Sequence, residues 1–184
     1  MNKIATENPD VFIFEPSVFG DDRGFFMETF RQSWFDDIGQ QVQFVQSNHS
    51  RSKKGVLRGL HYQVKQPQGK LVRVTSGTVY DVAVDIRPDS KHFGQHVAIT
   101  LSEENKRLFW VPPGFAHGFL VLSDFAELQY QCTDYYAPEY EHSILWSDPE
   151  LGIQWPEFGM PYSLSEKDER AASFAAVNQT KIGE

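Results

Sequence analysis

The segment Thr78-Val-Tyr-Asp-Val-Ala-Val-Asp-Ile-Arg87 has the clearest periodicity in the sequence. Alternation with a period of two is typical of a β-strand whose two faces meet different surroundings. We expect the first of its two alternating sets to be buried and the two aspartates of the second to lie on a half-solvated face. The two sets are Tyr80, Val82, Val84 and Ile86, and Val79, Asp81, Ala83 and Asp85.

Similar short segments recur between turn residues, and many strands at this spacing indicate an all-β antiparallel sandwich or barrel with a few short helices. Helices are predicted at Gln32–Ile38 and Leu164–Phe174, the second with Ser163 and Glu166 spaced as a capping box. We expect a single domain over residues 1–184, ending in a polar tail from about residue 175. The other predicted strands are Val11–Phe14, Gly24–Phe30, Val42–Asn48, Val56–Gln63, Lys70–Ser76, Gln95–Leu101, Arg107–Val111, Gly118–Leu122 and Glu127–Tyr135.

The composition is that of a globular protein, with 40% hydrophobic and 14% aromatic residues in 184. A formal net charge of −8 argues against binding to nucleic acid or to an anionic membrane surface. Cys132 is the single cysteine, which excludes an intrachain disulfide and fits a reducing compartment. The sequence has no secretory signal at its start and no apolar run of about 20 residues. We therefore expect a soluble cytoplasmic protein.

Two segments carry histidines in strand-like surroundings. The first is Gly55-Val-Leu-Arg-Gly-Leu-His61-Tyr-Gln63, followed by Gln68-Gly-Lys70, and the second is Trp110-Val-Pro-Pro-Gly-Phe-Ala-His117-Gly118. A lone strand histidine is more often a hydrogen-bonded structural residue than a functional one. A histidine and a lysine on adjoining strands, however, can supply a base and an oxyanion stabiliser. These segments predict one cavity lined from two sides.

The chain resembles the dTDP-4-dehydrorhamnose 3,5-epimerase family of cupin-like jelly-roll proteins, with motifs in order along nearly the whole chain. The resemblance implies inversion of C3 and C5 of a dTDP-linked 4-keto-6-deoxyhexose, without a cofactor. The matching segments are Asp22-Arg23-Gly-Phe-Phe-Met-Glu28, Gln46-Ser-Asn48, Leu57-Arg58-Gly-Leu-His61, Gln68-Gly-Lys70, Asp81-Val-Ala-Val-Asp85, Pro113-Gly-Phe-Ala-His117-Gly118, Tyr130, Tyr135-Tyr136, Glu141 and Lys167-Asp168.

The resemblance implies four catalytic roles. His61 is the base, and Asp168 is the carboxylate that fixes its tautomer. Lys70 stabilises the enolate oxygen. Tyr130 returns a proton from the opposite face of the sugar.

Strand periodicity adds support for two of these roles. With a period of two, Lys70 lies on the face of Val72 and Val74, and Tyr130 lies on the face of Leu128. Because those neighbours are apolar, we expect both functional side chains to point inward.

The resemblance also implies substrate contacts. Arginines suit a diphosphate because the guanidinium stays charged and can donate two parallel hydrogen bonds. Tyr136, or Tyr135 beside it, matches the position that stacks on thymine. The implied substrate-binding residues are Arg23, Glu28, Gln46, Ser47, Asn48, Arg58, Lys70, His117, Tyr136, Glu141 and Lys167.

His117 lies in a Pro-x-Gly-x-x-His pattern typical of metal-binding cupins. Such proteins add a His-x-His pair and a glutamate, whereas this chain has His61-Tyr62-Gln63. We therefore expect no metal and assign His117 to the substrate or to support of the pocket.

The resemblance further implies a homodimer formed through strand exchange. Three alternatives stay open: epimerisation at one carbon only, a noncatalytic sugar-nucleotide-binding protein, and a metal-dependent cupin enzyme.

The spacing of Arg58 and His61 conflicts with a shared pocket. Residues three apart in a regular strand lie on opposite faces. Gly59 would allow a β-bulge that re-aims one of them.

Overall fold

The protein is represented by a computed structural model that describes residues 1–179. Its regular structure is mostly β, as the sequence predicts. The strands are β1 (Asn2–Ala5), β2 (Phe12–Glu15), β3 (Val18–Asp21), β4 (Gly24–Met27), β5 (Gln46–Lys53), β6 (Leu57–Gln63), β7 (Lys70–Ser76), β8 (Thr78–Asp85), β9 (His96–Ser102), β10 (Leu108–Val111), β11 (Phe115–Val121), β12 (Phe125–Cys132) and β13 (Glu141–Ser143). The helices are α1 (Gln32–Asp36) and α2 (Glu166–Glu169), with short 3₁₀ turns at Pro138–Tyr140 and Phe174–Gln179.

The strands form two antiparallel sheets and a separate hairpin. The six-stranded sheet has the order β1-β2-β10-β7-β12-β5, and the five-stranded sheet has the order β13-β6-β11-β8-β9. Among the residues that the structure describes, strands β3 and β4 pair only with each other. Apart from β1–β2 and β8–β9, neighbours in each sheet are not consecutive in the sequence, so the sandwich depends on long-range pairing.

Three apolar clusters cover the faces of the sheets. The inner core lies between the sheets and includes Val72, Val74, Ala83, Phe109, Phe119 and Leu128. The outer face of the five-stranded sheet is covered by the C-terminal segment, through Ile144, Leu151, Trp155, Phe174 and Val177. The outer face of the six-stranded sheet packs Phe14, Leu71, Leu108 and Trp110 against Trp34 and Phe35 of α1.

The prediction that one face of β8 is half-solvated is wrong. Val82 and Val84 face the C-terminal segment, as expected for a buried set. The opposite set faces the inner core, and Asp81 and Asp85 are both 0% exposed. Both faces are buried because chain segments far away in sequence cover the sheet, so each aspartate needs an internal partner.

Several boundaries differ from the sequence prediction. Strand β5 extends to Lys53, β11 begins at Phe115 and so contains His117, and β12 ends at Cys132. Strands β1, β3 and β13 were not predicted. These elements are short or polar, and pairing with a neighbouring strand stabilises them rather than an apolar pattern of their own.

The C-terminal helix is also shorter than predicted, and its cap is a different residue. Ser165, not Ser163, is the N-cap of α2, and its hydroxyl accepts from the backbone N–H of Asp168. The expected polar tail from about residue 175 is wrong at its start, because Val177 is 2% exposed and packs beside Phe174 in the outer cluster. Residues 180–184 lie outside the described residues, and the single domain stays a prediction.

A β-bulge in β6 resolves the spacing of Arg58 and His61. Across β11, His61 pairs with His117 and Arg58 pairs with Phe119. Gly59 and Leu60 therefore stand opposite Gly118 alone, which is the two-for-one count of a bulge. Since Phe119 belongs to the inner core, Arg58 and His61 both project inward.

The bulge depends on close approach of the two backbones. Gly59 has φ of +125°, and an added Cβ would lie 2.5 Å from Gly118 Cα and 2.8 Å from the His117 carbonyl oxygen. Real Cβ atoms do not approach backbone this closely, so only glycine fits.

We predict that Gly59→Ala lowers the free energy of unfolding by about 3 kcal/mol or more, because it combines an unfavourable φ with a backbone clash. Gly152→Ala is the matched control, since Gly152 also has positive φ (+59°) but has no atom within 4 Å of the added Cβ. Urea denaturation of both variants measures the difference. Equal losses would show that the clash at β11 contributes nothing.

Candidate active site

The candidate site lies between the sheets at one end of the sandwich. His61 and His117 are paired neighbours on the inner face of the five-stranded sheet. Lys70 of β7 is on the facing wall, in register with Cys132 of β12. A narrow cleft opens here, lined by His61, Tyr62, Gln63, Pro67, Gln68, Lys70, Gly114, Phe115, Tyr136 and Glu141.

His61 is held by a buried carboxylate. Its Nε2 lies 2.6 Å from Oδ1 of Asp168, which is 3% exposed. The other carboxylate oxygen, Oδ2, accepts from the Ser165 hydroxyl at 2.8 Å. Burial would raise the pKa of Asp168, but its hydrogen bonds and ionic interactions with His61, Ser165 and Lys167 hold that pKa below its usual value. An ionised carboxylate can only accept, so the paired ring nitrogen carries the hydrogen and the other nitrogen of a neutral ring is the basic one.

His117 forms a second histidine–aspartate pair. Its Nε2 lies 2.6 Å from Oδ1 of Asp81, and His117 itself is 8% exposed. Asp81 was not among the predicted site residues, because a carboxylate on a half-solvated face is a simpler interpretation of the sequence than support of a pocket histidine. Its burial on β8 makes it the residue that orients His117. Asp85 has a different role, since it accepts from Arg87 and Ser90 in the turn after β8.

The facing six-stranded sheet carries the predicted lysine and tyrosine, of which Lys70 lines the cleft. Lys70 shares the inner face with Val72 and Val74, and Tyr130 packs against the inner core. Burial lowers the pKa of Lys70, and the nearby Cys132, Glu141 and Asp81 offset this only in part. Burial likewise raises the pKa of Tyr130, so its hydroxyl keeps its proton at neutral pH.

Three predicted residues meet at the rim of the cleft. The Tyr136 hydroxyl donates to Glu141 Oε2 at 2.8 Å, and Lys167 forms an ion pair with the same oxygen. Burial would raise the pKa of Glu141, but these two partners lower it overall. The rim therefore presents an exposed aromatic ring beside an ionised carboxylate whose charge is balanced by Lys167.

Strand β5 places Gln46 and Asn48 inward and Ser47 outward. The Gln46 amide donates to Asn48 Oδ1 at 3.0 Å, and Asn48 donates to Cys132 Sγ at 3.6 Å. Ser47 instead lines a separate pocket on the outer side, with Arg73. The period of two divides this predicted group between two faces.

Arg58 reaches across to the six-stranded sheet. Its Nε donates to Ser52 Oγ of β5 at 3.1 Å. Its charge opposes the rise in the pKa of Tyr130 that burial causes. The bulge thus delivers a cation to the site.

Comparison with known proteins identifies the family of the chain. Residues 5–176 match the sequence model of the family described as dTDP-4-dehydrorhamnose 3,5-epimerase. The chain belongs to this family. It is 59% identical over 184 residues to an Escherichia coli protein of that name, covering 99% of both chains.

Solved structures with the same fold include two that carry ligands. A dTDP-6-deoxy-D-glucose-3,5-epimerase from Legionella pneumophila, in complex with dTDP-4-keto-L-rhamnose, is 52% identical with a TM-score of 0.95, covering 100% of this chain and 97% of that one. A 3′-monoepimerase from Streptomyces bikiniensis, in complex with dTDP-quinovose, is 33% identical with a TM-score of 0.88, covering 95% of this chain and 89% of that one. The predicted family, cupin-like jelly-roll fold and isomerase class are confirmed.

Two predicted binding residues lie away from the cleft of this epimerase-family chain. Arg23 is on the exposed β3–β4 hairpin and pairs with Asp21, the partner that a simple turn residue would have. Glu28 follows the hairpin and pairs with Arg31 at 2.7 Å. Within one chain, neither contributes to the site.

Several residues that line the cleft lack a strong signal in the sequence. Gln63 follows His61 by two positions and so shares its face, which could have identified it. Phe115, at the start of β11, and Gln68, just before β7, also line the cleft, although neither was predicted as a site residue.

Among residues 1–179, no group of three or more histidine, cysteine, aspartate or glutamate side chains is placed to hold a metal ion. No helix in that range is long and apolar enough to cross a membrane. The expectation of a metal-free site stays a prediction.

We predict that Asp168→Asn lowers the free energy of unfolding at pH 7 by about 1–3 kcal/mol, because it weakens the hydrogen bonds to His61 and Ser165. The depressed pKa of Asp168 gives stability that is fully present above the unfolded value of about 3.9. That contribution is lost as pH falls through the lower folded pKa. Denaturation of both proteins from pH 7 down to about pH 3 should therefore show the difference shrinking below about pH 4. A difference that stays constant with pH would contradict an ionised Asp168.

Proposed function

We propose that this chain converts dTDP-4-dehydro-6-deoxy-D-glucose into dTDP-4-dehydro-L-rhamnose by inverting C3 and C5, as a step of dTDP-L-rhamnose biosynthesis in the cytoplasm. One observation carries the proposal. A histidine–aspartate pair stands on one wall of the cleft, while a half-buried lysine and a protonated tyrosine belong to the facing sheet.

His61 removes the proton. Hydrogens on carbons that flank a ketone are weakly acidic, because the electrons of the broken C–H bond move into the carbonyl and form an enolate. The Asp168 contact fixes the ring and stabilises the imidazolium that results. Inversion at C3 and at C5 uses the same chemistry twice.

Lys70 stabilises the enolate oxygen. Burial lowers the pKa of its ammonium, and the surrounding acidic groups offset that loss of hydration only in part. A negative charge that develops nearby improves its environment more than the neutral ketone does. Lys70 therefore favours the transition state over the ground state.

Tyr130 supplies the proton to the opposite face of the sugar. Its raised pKa keeps the phenol protonated at neutral pH, and Arg58 nearby can stabilise the phenolate after transfer. Each inversion leaves His61 protonated and Tyr130 deprotonated, and exchange with water restores both. His117, held by Asp81, supports the floor of the pocket.

The nucleotide extends over the rim. Tyr136 offers a flat ring for thymine, beside Glu141 and Lys167. Arg58 offers a guanidinium for the diphosphate. Gln46 and Asn48 line the same inner face of β5.

A homodimer supplies the remaining contacts. The β3–β4 hairpin pairs with no other strand and exposes Phe19 and Phe26, 67% and 70% accessible, opposite each other in the register. Exposed aromatic pairs of this kind are typical of an interface. We propose that the hairpin docks on a second copy and brings Arg23 and Glu28 to that copy's cleft.

The reaction predicts exchange of the C3 and C5 hydrogens for deuterium in heavy water. We expect His61→Ala to reduce exchange at both carbons by about 10²- to 10⁴-fold while dTDP still binds. Tyr130→Phe should keep exchange but reduce net inversion, since the base remains and the opposite-face donor is lost. NMR measures both quantities. A folded wild-type protein that binds dTDP without exchange would instead support a noncatalytic binding protein.

A second candidate function is epimerisation at one carbon. The similarity to the Streptomyces 3′-monoepimerase, at 33% identity, favours keeping it open. Product stereochemistry separates the two functions, because inversion at C3 alone leaves C5 undeuterated. Activity unchanged by a chelator would argue against a metal-dependent cupin enzyme.

Mixing two inactive variants tests the shared site. In a hybrid dimer of His61→Ala and Arg23→Ala, one cleft would combine wild-type His61 with the wild-type hairpin of the other chain. Random reassociation of equal amounts makes half of the dimers hybrids with one complete site in two, so about a quarter of wild-type activity should return. No recovery after verified subunit exchange would contradict the proposal, and His61→Ala mixed with itself is the control.

A further inference from the structure

The segment Asp134–Ala137 carries the rim tyrosines but is not part of a strand or helix. Tyr135 and Tyr136 are 60% and 52% exposed, so side-chain packing does little to hold them. The backbone is held instead by side-chain amides, from three glutamines that lie elsewhere in the sequence.

Gln63 makes the largest number of these contacts. Its Nε2 donates to the carbonyl oxygens of Tyr135 at 3.2 Å and Gln66 at 2.8 Å. Its Oε1 accepts from the backbone N–H of Ala137 at 2.9 Å. Gln63 is 5% exposed, so these bonds are shielded from water.

Two other glutamines complete the arrangement. Gln46 Oε1 accepts from the backbone N–H of Tyr136 at 2.9 Å. Gln68 Nε2 donates to the carbonyl oxygen of Asp134 at 2.9 Å. The tyrosine-bearing backbone is therefore fixed on both sides of Tyr136, by Gln46 at that residue and by Gln63 at the residues before and after it.

We propose that Gln63 is a positioning residue that sets the base recognition of the cleft. This inference rests on the proposed function, since it assumes that Tyr136 stacks on the nucleotide base. Gln63 lies two residues after His61 on the same face of β6. Gln63 therefore connects the segment that carries Tyr136, which contacts the nucleotide base, to strand β6, which carries His61.

Only an amide side chain of this length meets all three groups. Two carbonyl oxygens require a donor, and the N–H of Ala137 requires an acceptor. A methionine of similar length provides neither, and leaves three backbone groups in a buried setting without partners. A carboxylate keeps the acceptor but faces both carbonyl oxygens with negative charge.

The test compares two ligands that bind to different parts of the cleft. In the proposed complex, dTDP contacts both Tyr136 at the rim and the residues that bind the diphosphate, while inorganic pyrophosphate contacts only the diphosphate-binding residues. We expect Gln63→Met to raise the Kd for dTDP by roughly tenfold and to leave the Kd for pyrophosphate within about twofold, as measured by calorimetry. With the dTDP-keto sugar, KM should rise by a similar factor while kcat changes little, because the His61 pair is untouched.

Two further variants sharpen the result. Gln63→Glu keeps the length and the acceptor and should show the same selective loss, which retains a test if Gln63→Met does not fold. Gln154→Met is the matched control, since Gln154 also donates to a backbone carbonyl, that of Gly152, but does not line the cleft. It should leave both Kd values unchanged.

Each outcome decides one question. Unchanged dTDP affinity in both Gln63 variants, or equal weakening of dTDP and pyrophosphate, overturns the positioning role. Absence of deuterium exchange in wild-type protein that binds dTDP overturns the proposed reaction but leaves the binding comparison valid. Wild-type protein that does not bind dTDP overturns both.

Discussion

The close approach of β6 and β11 at Gly59 and Gly118 is the constraint on which the site depends. Two residues of β6 stand opposite one residue of β11, and this shift brings Arg58 and His61 to the same inner face. A regular strand would send one of them into the apolar cluster under the C-terminal segment. Because the crossing leaves no room for a Cβ at Gly59, the geometry rests on a missing side chain rather than on an added interaction. The pocket is thus a consequence of backbone packing before any charge is considered.

Burial of charge between the sheets gives each group its chemistry. Lys70 and Tyr130 on one wall have pKa values shifted toward their neutral forms by loss of water. Asp168 on the other wall has a pKa shifted toward its ionised form, because hydrogen bonds outweigh burial there. Asp168 is therefore a stabilised carboxylate beside His61, whereas Tyr130 on the facing sheet keeps its proton. The pKa of Asp168 differs from that of Tyr130 because Asp168 accepts hydrogen bonds from Ser165, the N-cap of α2, and from His61.

The sequence predicted the parts of this site that follow from strand periodicity. Lys70 and Tyr130 face inward because their neighbours two residues away are apolar, and that pattern is local. The burial of Asp81 was not predictable in the same way, since the strands that cover its face of β8, through residues such as Val72 and Leu128, belong to the facing sheet and come together with it only in the folded chain. The roles of Asp168 and the rim residues came from family resemblance, because nothing in a charged four-residue helix signals contact with a histidine about a hundred positions away.

The charges within one chain explain why a second chain would help. The cleft and its surroundings hold Asp81, Asp168 and Glu141. The charge of Lys167 is already balanced by its ion pair with Glu141. Lys70 and Arg58 are the cations left to face an anionic nucleotide, and Lys70 is assigned to the enolate. A diphosphate carries at least two negative charges, more than Arg58 alone balances in a partly buried site. Arg23, paired only with Asp21 on an exposed hairpin, can be redirected at small cost because surface ion pairs contribute little. A hairpin docked across the interface would therefore add a cation where the chain's own fold leaves the balance negative.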